Sequence, residues 1–377
     1  MSRVFLLGGQ AESLLNFRGI LIKEMISQGH IVYAAAPDMD AATAAKLAAL
    51  GAIAVEAPLS RTALNPLRDA QSTWALWRLV REIKPEFFIA YTIKPVIFGS
   101  IAARLAGVKN ITAMITGLGY AFIDGNETKR KITKRFAVLL YRIALPLSRK
   151  VLFQNPDDRQ VFFDLKILRP TSDTAIINGS GVDVLHYDVQ PLPLEPRFLM
   201  ISRFLIDKGV REYAGAVKQL KLTFPAAKAA LAGYVDSSPN SITQTELDSW
   251  QADGLDLVGK LDDVRDEIAR SSIIVLPSYR EGTPRVVLEA MAMGRAIVTT
   301  DAPGCRETVV DGLNGLLVPV RDTNALGDAM CKLYAAPDMV AEMAHAGRKI
   351  AEERYDARLV ARDIMHHAGL SRELGAG

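Results

Sequence analysis

Val4-Phe5-Leu6-Leu7-Gly8-Gly9 reads as a short strand running into a glycine turn. A helical pattern follows over about 16–28 and stops at Gly29, a residue suited to ending a helix. The alternation then repeats. Strands are predicted over 31–35, 52–56, 87–91, 111–115 and 151–153. Helices are predicted between them over 41–50, 66–83, 96–106 and about 128–148. Strand alternating with helix at this spacing predicts a parallel sheet with helices on both faces. The stretch over about 184–197 changes character: it holds Pro191, Pro193 and Pro196, shows no helical periodicity, and reads as a linker. Beyond it the pattern restarts, with strands predicted over 198–201, 228–231, 255–258, 273–276, 296–299 and 316–318. Helices are predicted over 209–222, 284–293, 324–335, 339–353 and 358–368. The expected fold is therefore α/β, with two Rossmann-like domains over 1–190 and 191–354 and a helix of about 355–370 packing back on the first. Ligands of such sheets bind beyond the carboxyl ends of the strands, so the cleft between two facing sheets is the expected site.

Size and composition agree with two such domains. The chain has 377 residues, 49% of them hydrophobic and 23% charged, with a formal net charge of only +3. That balance gives no ground for nucleic-acid binding or disorder. Cys305 and Cys331 have neither metal-ligand spacing nor a disulfide framework, so a reducing compartment is expected. The apolar run at the amino terminus is too short for a signal-peptide core, and no uninterrupted apolar stretch approaches the ~20 residues that span a bilayer. The expected location is cytoplasmic.

Two constellations carry chemistry. In Leu276-Pro277-Ser278-Tyr279-Arg280-Glu281-Gly282-Thr283-Pro284-Arg285-Val286-Val287-Leu288-Glu289-Ala290 a strand ends, a polar loop turns and a helix begins. Pro284 suits the first helical position and Thr283 the N-cap, and the amides from Gly282 onward suit a phosphate. Glu281 precedes the helix, whereas Glu289 lies inside it on the side of Arg285. Such carboxylates are strong acceptors for sugar hydroxyls. In Ile201-Ser202-Arg203-Phe204-Leu205-Ile206-Asp207-Lys208-Gly209, Arg203 leaves a strand end and Lys208 stands at the start of the next helix. Two cations so placed fit a diphosphate.

On these residues the chain resembles the retaining glycosyltransferases of family four, of GT-B fold, over its whole length. Glu281 and Glu289 match the family's Glu-x7-Glu, followed by Ala290, Ala292 and Gly294; Arg203, Lys208 and Gly209 match its Arg-x4-Lys-Gly; Gly8 and Gly9 match its amino-terminal glycine loop. The resemblance implies that Arg203 and Lys208 hold the donor diphosphate, Glu281 contacts the transferred sugar, and Glu289 contacts the ribose. Gly9 and the turn Gly282-Thr283-Pro284, with amides at Gly282 and Thr283, complete the donor site, with Val258 and Lys260 near the base. Asn16-Phe17-Arg18, Ser60-Arg61, Thr92-Ile93-Lys94-Pro95 and Thr116-Gly117-Leu118-Gly119-Tyr120 resemble bacterial enzymes that extend polyprenyl-diphosphate-linked sugars. This implies a UDP-sugar donor and a lipid-linked saccharide acceptor, with Asn16, Arg18, Arg61, Lys94 and Thr116 on the acceptor side. Many family members carry a histidine near the position of Thr116; this chain does not. No cofactor is expected. No metal is expected either, since Asp38-Met39-Asp40 lies beyond Pro37 rather than at a strand end.

The helix predicted over about 128–148 carries Lys129, Arg130, Lys131, Lys134, Arg135 and Arg142, with Arg149 and Lys150 just after it and no acid among them. Ile132, Phe136, Leu139, Ile143 and Leu147 fall at helical spacing, and Arg135, Arg142 and Arg149 repeat every seven residues. A basic amphipathic helix predicts contact with an anionic membrane surface through Lys131, Arg135, Arg142 and Arg149. The competing reading packs the apolar stripe on the sheet and leaves the charges merely solvated. Trp74 and Trp77 read as packing residues rather than lipid anchors. Three other functions compete with this reading: a sugar-nucleotide epimerase or hydrolase on the same scaffold, for which the sequence offers no acid–base set; a catalytically silent scaffold protein, which would be expected to have lost Glu281, Arg203 or Lys208; and a transferase with a soluble acceptor.

Overall fold

The computed structural model describes residues 1–59, 66–118, 128–236, 238 and 240–371. The chain divides into two compact units, the first comprising Met1–Gly181 with Ala357–Gly377 and the second Val182–Asp356.

The first unit is built on seven parallel strands: β1 (Arg3–Leu7), β2 (Ile31–Ala36), β3 (Ile53–Glu56), β4 (Phe87–Tyr91), β5 (Asn110–Ile115), β6 (Lys150–Phe153) and β7 (Thr174–Ile176). They lie in the order β3-β2-β1-β4-β5-β6-β7. Its helices are α1 (Ala11–Asn16), α2 (Gly19–Ser27), α3 (Ala41–Ala49), α4 (Pro66–Ile83), α5 (Ser100–Leu105), α6 (Thr128–Ala144) and α7 (Pro156–Asp164). A π turn, Pro95–Gly99, leads into α5. Val4 to Leu7 are wholly buried, as a parallel strand covered on both faces requires. The helix expected over 16–28 is α2, starting at Gly19, and a further short helix, α1, precedes it, the two separated by Phe17 and Arg18. Asp40 caps α3 by accepting from the backbone of Thr43 at 2.7 Å.

The second unit has β8 (Arg197–Arg203), β9 (Lys228–Tyr234), β10 (Asp256–Gly259), β11 (Ile273–Leu276), β12 (Ala296–Thr300) and β13 (Gly315–Val318). Their order is β10-β9-β8-β11-β12-β13, again all parallel. Its helices are α8 (Val210–Thr223), α9 (Gln244–Ala252), α10 (Arg265–Ala269), α11 (Arg285–Ala292), α12 (Thr323–Tyr334) and α13 (Pro337–Arg354). In each sheet the order reverses beside the first strand, between β1 and β4 and between β8 and β11. These are the switch points where a crevice opens at the carboxyl edge.

The last helix, α14 (Ala357–Ala368), buries Val360, Ile364 and Met365 in the first unit's core with Val4, Leu6 and Ile22. The division between units falls at Gly181 and Val182, not at 190, and the stretch read as a linker belongs to the second unit. Val182, Val184 and Tyr187 are buried there with Tyr355 and Met291. Arg348 donates to the carbonyls of Val184 and Tyr187 at 3.2 and 3.0 Å. Arg295, wholly buried, donates to the carbonyls of Gln190, Pro191, Ile268, Ala269, Met293 and Gly294 at 2.8–3.1 Å. The prolines remove amide donors from this segment, and the arginines hold it by its carbonyls instead. Val182 also forms a parallel bridge with Asp356, its amide donating to Tyr355 at 2.8 Å, so the unit's two ends are bonded to each other.

Candidate active site

The second unit gathers its candidate residues at its switch point. β8 ends at Arg203, and a tight 3-10 turn, Ile206–Lys208, follows. The next strand in the sheet, β11, ends at Leu276, and residues 277–284 lead into α11. Lys208 Nζ lies 2.5 Å from Glu281 Oε1, and Ser278 Oγ donates to that same oxygen at 2.8 Å. Both charged side chains are only about one-sixth exposed, at 17% and 16%. Arg203 does not join them: it is half exposed and pairs with Asp236 at 2.7 Å.

Backbone contacts fix the pair. Tyr279 N donates to Asp207 O, and Glu281 N to Pro303 O, both at 2.9 Å. Gly209 and Gly304 have φ of 74° and 84°, and a Cβ on them would come within 2.1 Å of Pro277 O and 2.2 Å of Glu281 O. Only glycine meets both conditions. Thr300 Oγ1 donates to Ser278 O beneath the loop. Cys305 is buried there, and burial first, then the Glu281 charge, pushes its thiol up to about 12. It is an inert packing residue. Thr283 is not the helix cap. Pro284 takes that position with an extended backbone (φ −72°, ψ 109°) and no side-chain capping bond, leaving Thr283 and Gly282 one and two residues ahead of it.

Glu289 is buried in α11, and its Oε1 accepts from Arg285 Nε at 2.7 Å. The Tyr187 hydroxyl lies beside it and favours its ionised form. Burial raises the Glu289 pKa above the ordinary carboxylate value, with Arg285 and Tyr187 opposing. Sequence reasoning missed Tyr187 because it lies in the presumed linker, where no periodicity marks it. Val258 sits in β10, and Lys260 just beyond it places Nζ 5.8 Å over the ring of Tyr234, a partly exposed residue ending β9.

In the first unit the candidates meet at the carboxyl edge of β1, β4 and β5. A Cβ on Gly9 would come 2.6 Å from Thr92 Oγ1, so the glycine lets the two loops touch. Thr92 has φ of 69°, strained for a β-branched residue, and its buried hydroxyl has no hydrogen-bond partner among the described residues. Lys94 Nζ reaches Asp69 Oδ1 at 3.1 Å in a largely buried pair. Thr116 is half-buried just past β5, and Asn16 is exposed at the end of α1. Arg18, expected on the acceptor side, is only 2% exposed; its guanidinium lies 4.9 Å over the Tyr91 ring and donates to Phe17 O at 3.4 Å. The break between α1 and α2 turns it inward. Arg61, with Ser60, lies outside the described residues, as do Gly119 and Tyr120.

α6 packs differently from either sequence reading. Ala137, Val138, Tyr141 and Ala144 are buried, whereas Ile132, Leu139 and Ile143 are 61%, 52% and 52% exposed. At 3.6 residues per turn the exposed apolar line is flanked on one side by Lys131, Arg135 and Arg142, all exposed, and on the other by half-buried Phe136 and Leu140. Arg142 also donates to Leu165 O at 2.6 Å. Arg149 is not on the helix, which gives way at Leu145–Leu147 to a 3-10 turn containing Pro146. It precedes β6, at the opposite edge of the sheet, and donates to Asn110 at 2.9 Å. Among the described residues no helix is long and apolar enough to cross a membrane, and no cluster of three His, Cys, Asp or Glu could hold a metal ion.

Two family profiles match the chain. The one described as "Glycosyl transferase 4-like" matches residues 5–155, and "Glycosyl transferases group 1" matches 195–336, which contains Arg203, Lys208, Glu281 and Glu289. The chain thus carries glycosyltransferase domains of the 4-like and group 1 kinds. This transferase is 25% identical to the N,N'-diacetylbacillosaminyl-diphospho-undecaprenol alpha-1,3-N-acetylgalactosaminyltransferase of Campylobacter jejuni, over 95% of this chain and 96% of that one. It is 22% identical to the UDP-Gal:alpha-D-GlcNAc-diphosphoundecaprenol alpha-1,3-galactosyltransferase of Escherichia coli, over 72% of each. Among solved structures, Anabaena HepE in complex with UDP superposes with a TM-score of 0.77 at 17% identity, covering 97% of this chain and 99% of that one. Sucrose-phosphate synthase of Thermosynechococcus elongatus superposes at 0.78 and 16%, covering 97% and 98%. The transferase therefore has the GT-B fold, two Rossmann-like units in one chain.

Proposed function

We propose that this glycosyltransferase moves a hexose or N-acetylhexosamine, with retention, from a UDP-sugar to a polyprenyl-diphosphate-linked saccharide at the inner face of a bacterial membrane, in glycan or polysaccharide synthesis. The observation that carries the reading is the Lys208–Glu281 contact at the switch point of the second sheet. An ammonium there can meet the donor's β-phosphate while the carboxylate orients the sugar hydroxyls. Glu289, held by Arg285 and Tyr187, accepts from the ribose. Lys260 and Tyr234 border the base. Lys94, Thr116 and Asn16 serve the acceptor. The printed activities of the two relatives, each on a diphospho-undecaprenol sugar, support the acceptor class.

In the proposed step the bond from the donor's anomeric carbon to the β-phosphate oxygen breaks as the acceptor hydroxyl attacks on the same face. The hydroxyl proton passes to the departing phosphate oxygen, leaving UDP and a retained glycoside. Negative charge grows on the diphosphate; Lys208 stabilises it, joined by Arg203 once that side chain exchanges Asp236 for a phosphate oxygen, without a metal or other cofactor. The test is a thermal-shift panel of nucleotide sugars followed by turnover on short-chain polyprenyl-diphosphate sugars, with the anomeric configuration of the product read by NMR. Stabilisation by UDP-sugars and an axial product support the proposal. A preference for guanosine or adenosine diphosphate sugars, or an inverted product, overturns it.

A further inference from the structure

We infer that a groove between α4 and α6 holds the first isoprene units of the polyprenyl chain of the acceptor; this rests on the lipid-linked acceptor proposed above. The groove encloses about 410 Å³, within the range of small-molecule sites, and its walls include Trp74, Trp77, Phe98, Ile101, Phe136 and Leu140. Trp74, expected to pack, is 58% exposed, an unusual state for a residue of that apolar area. The groove is continuous with the exposed apolar line of α6, since Phe136 and Leu140 flank Ile132, Leu139 and Ile143 on that side of the helix.

The topology gives the groove a direction. α4 connects the carboxyl end of β3 to the amino end of β4, so its first turns lie at the carboxyl edge of the sheet. Asp69 closes the groove at that edge, paired with Lys94 just past β4. Leu105, the last residue of α5, lies towards the other edge. A diphosphate near Lys94 and Thr116 thus has an apolar channel leading directly away from it. The cations Lys131, Arg135 and Arg142 border the exposed line beyond, where the rest of the chain meets lipid headgroups. A bilayer phospholipid keeps its phosphate at the headgroup plane beside Lys131, Arg135 and Arg142, whereas an isoprenoid diphosphate bound as acceptor has its charge at Lys94.

The test fills or strips the groove from its open side with Ala70→Trp and Trp74→Ala; Ala70 lines the groove and is exposed, so neither change enters the core. Two acceptors with the same diphosphate sugar are compared in detergent, one long-chain and one with a single isoprene unit. Wild type is expected to show a KM about tenfold lower for the long chain. Ala70→Trp is expected to erase that preference by raising the long-chain KM, with the short-chain KM and the donor KM unchanged, and Trp74→Ala to weaken it. Unchanged KM ratios in both folded variants overturn the groove. So does a fall in liposome binding with chain-length preference intact, which assigns the groove to bilayer lipid. Absence of wild-type transfer to any polyprenyl diphosphate sugar overturns the acceptor reading itself and is distinguishable from either result.

Discussion

Lys208 and Glu281, 73 residues apart in sequence, share a contact of 2.5 Å through Glu281 Oε1. That oxygen also accepts from Ser278, so the carboxylate's position is fixed before any sugar arrives. Preorganisation of this kind places the cost of ordering the site in folding rather than in the reaction.

Glu281→Gln and Lys208→Ala should each lower turnover by about a hundredfold or more, the scale of one transition-state contact. Because the two side chains touch, the double variant should lose much less than the product of the single losses. Steady-state kinetics with thermal melts on all three proteins checks this. Fully multiplicative losses in folded variants would show that the contact has no catalytic meaning.

Nucleotide affinity should weaken as pH falls, because Glu289 must be ionised to accept ribose hydroxyls and burial has raised its pKa. The stability effect has the opposite sign. A carboxyl whose folded pKa is raised contributes stability that is fully present below the unfolded value and is lost as pH rises through the folded value. Calorimetric titration of UDP across the acid range should therefore slope more steeply for wild type than for Glu289→Gln, whose remaining slope belongs to the ionisation of the diphosphate itself. Parallel slopes would remove Glu289 from the ribose site.

Arg295→Met should destabilise the second unit by about 3 kcal/mol or more, since six carbonyls lose their donor at once. Burial alone lowers the guanidinium pKa to about 10, so the charge persists at neutral pH and its carbonyl cage has to compensate. UDP affinity should fall too, through loosening of the segment that carries Tyr187. Urea titration with and without UDP measures both.

Thr92→Gly should raise stability by about 1 kcal/mol, because glycine accepts the 69° φ that strains threonine. Transfer should nevertheless slow, with the effect in the acceptor KM, since Thr92 opens the stretch Thr92-Ile93-Lys94-Pro95 that places Lys94. A lower melting temperature would show that the position is not strained.

Wild type should sediment with anionic liposomes and be released as salt rises, each basic residue near the surface contributing about 1 kcal/mol. Changing Lys131, Arg135 and Arg142 to Glu should abolish the binding and leave activity on a water-soluble acceptor analogue. Equal partitioning of the two proteins would end the membrane reading.

The sheets were legible because parallel strands covered on both faces are continuous apolar runs, as in Val4–Leu7 and Ile273–Leu276. Glu281 and Lys208 were legible because their spacing sits on turns that the strand and helix patterns mark. Arg18 was not legible as a covered cation: nothing in its neighbourhood along the chain shows that a tyrosine ring will lie against it. The segment around Tyr187 was misread as a linker because what holds it is side chain to carbonyl, a bond with no period along the chain. The face of α6 was only half legible. Apolar residues occur all around that helix, and only the packed structure separates Tyr141 and Ala144 inside from Ile132 and Leu139 outside.

The bridge between Val182 and Asp356 makes the second unit an insert with its own ends tied together. A segment closed in this way adds little loop entropy to the host that carries it. Residues 182–356 should then be separable as a nucleotide-binding module, and a short peptide joining Gly181 to Ala357 should let α14 complete the first unit's core without it. In genetic terms the second unit is a cassette whose two junctions lie side by side.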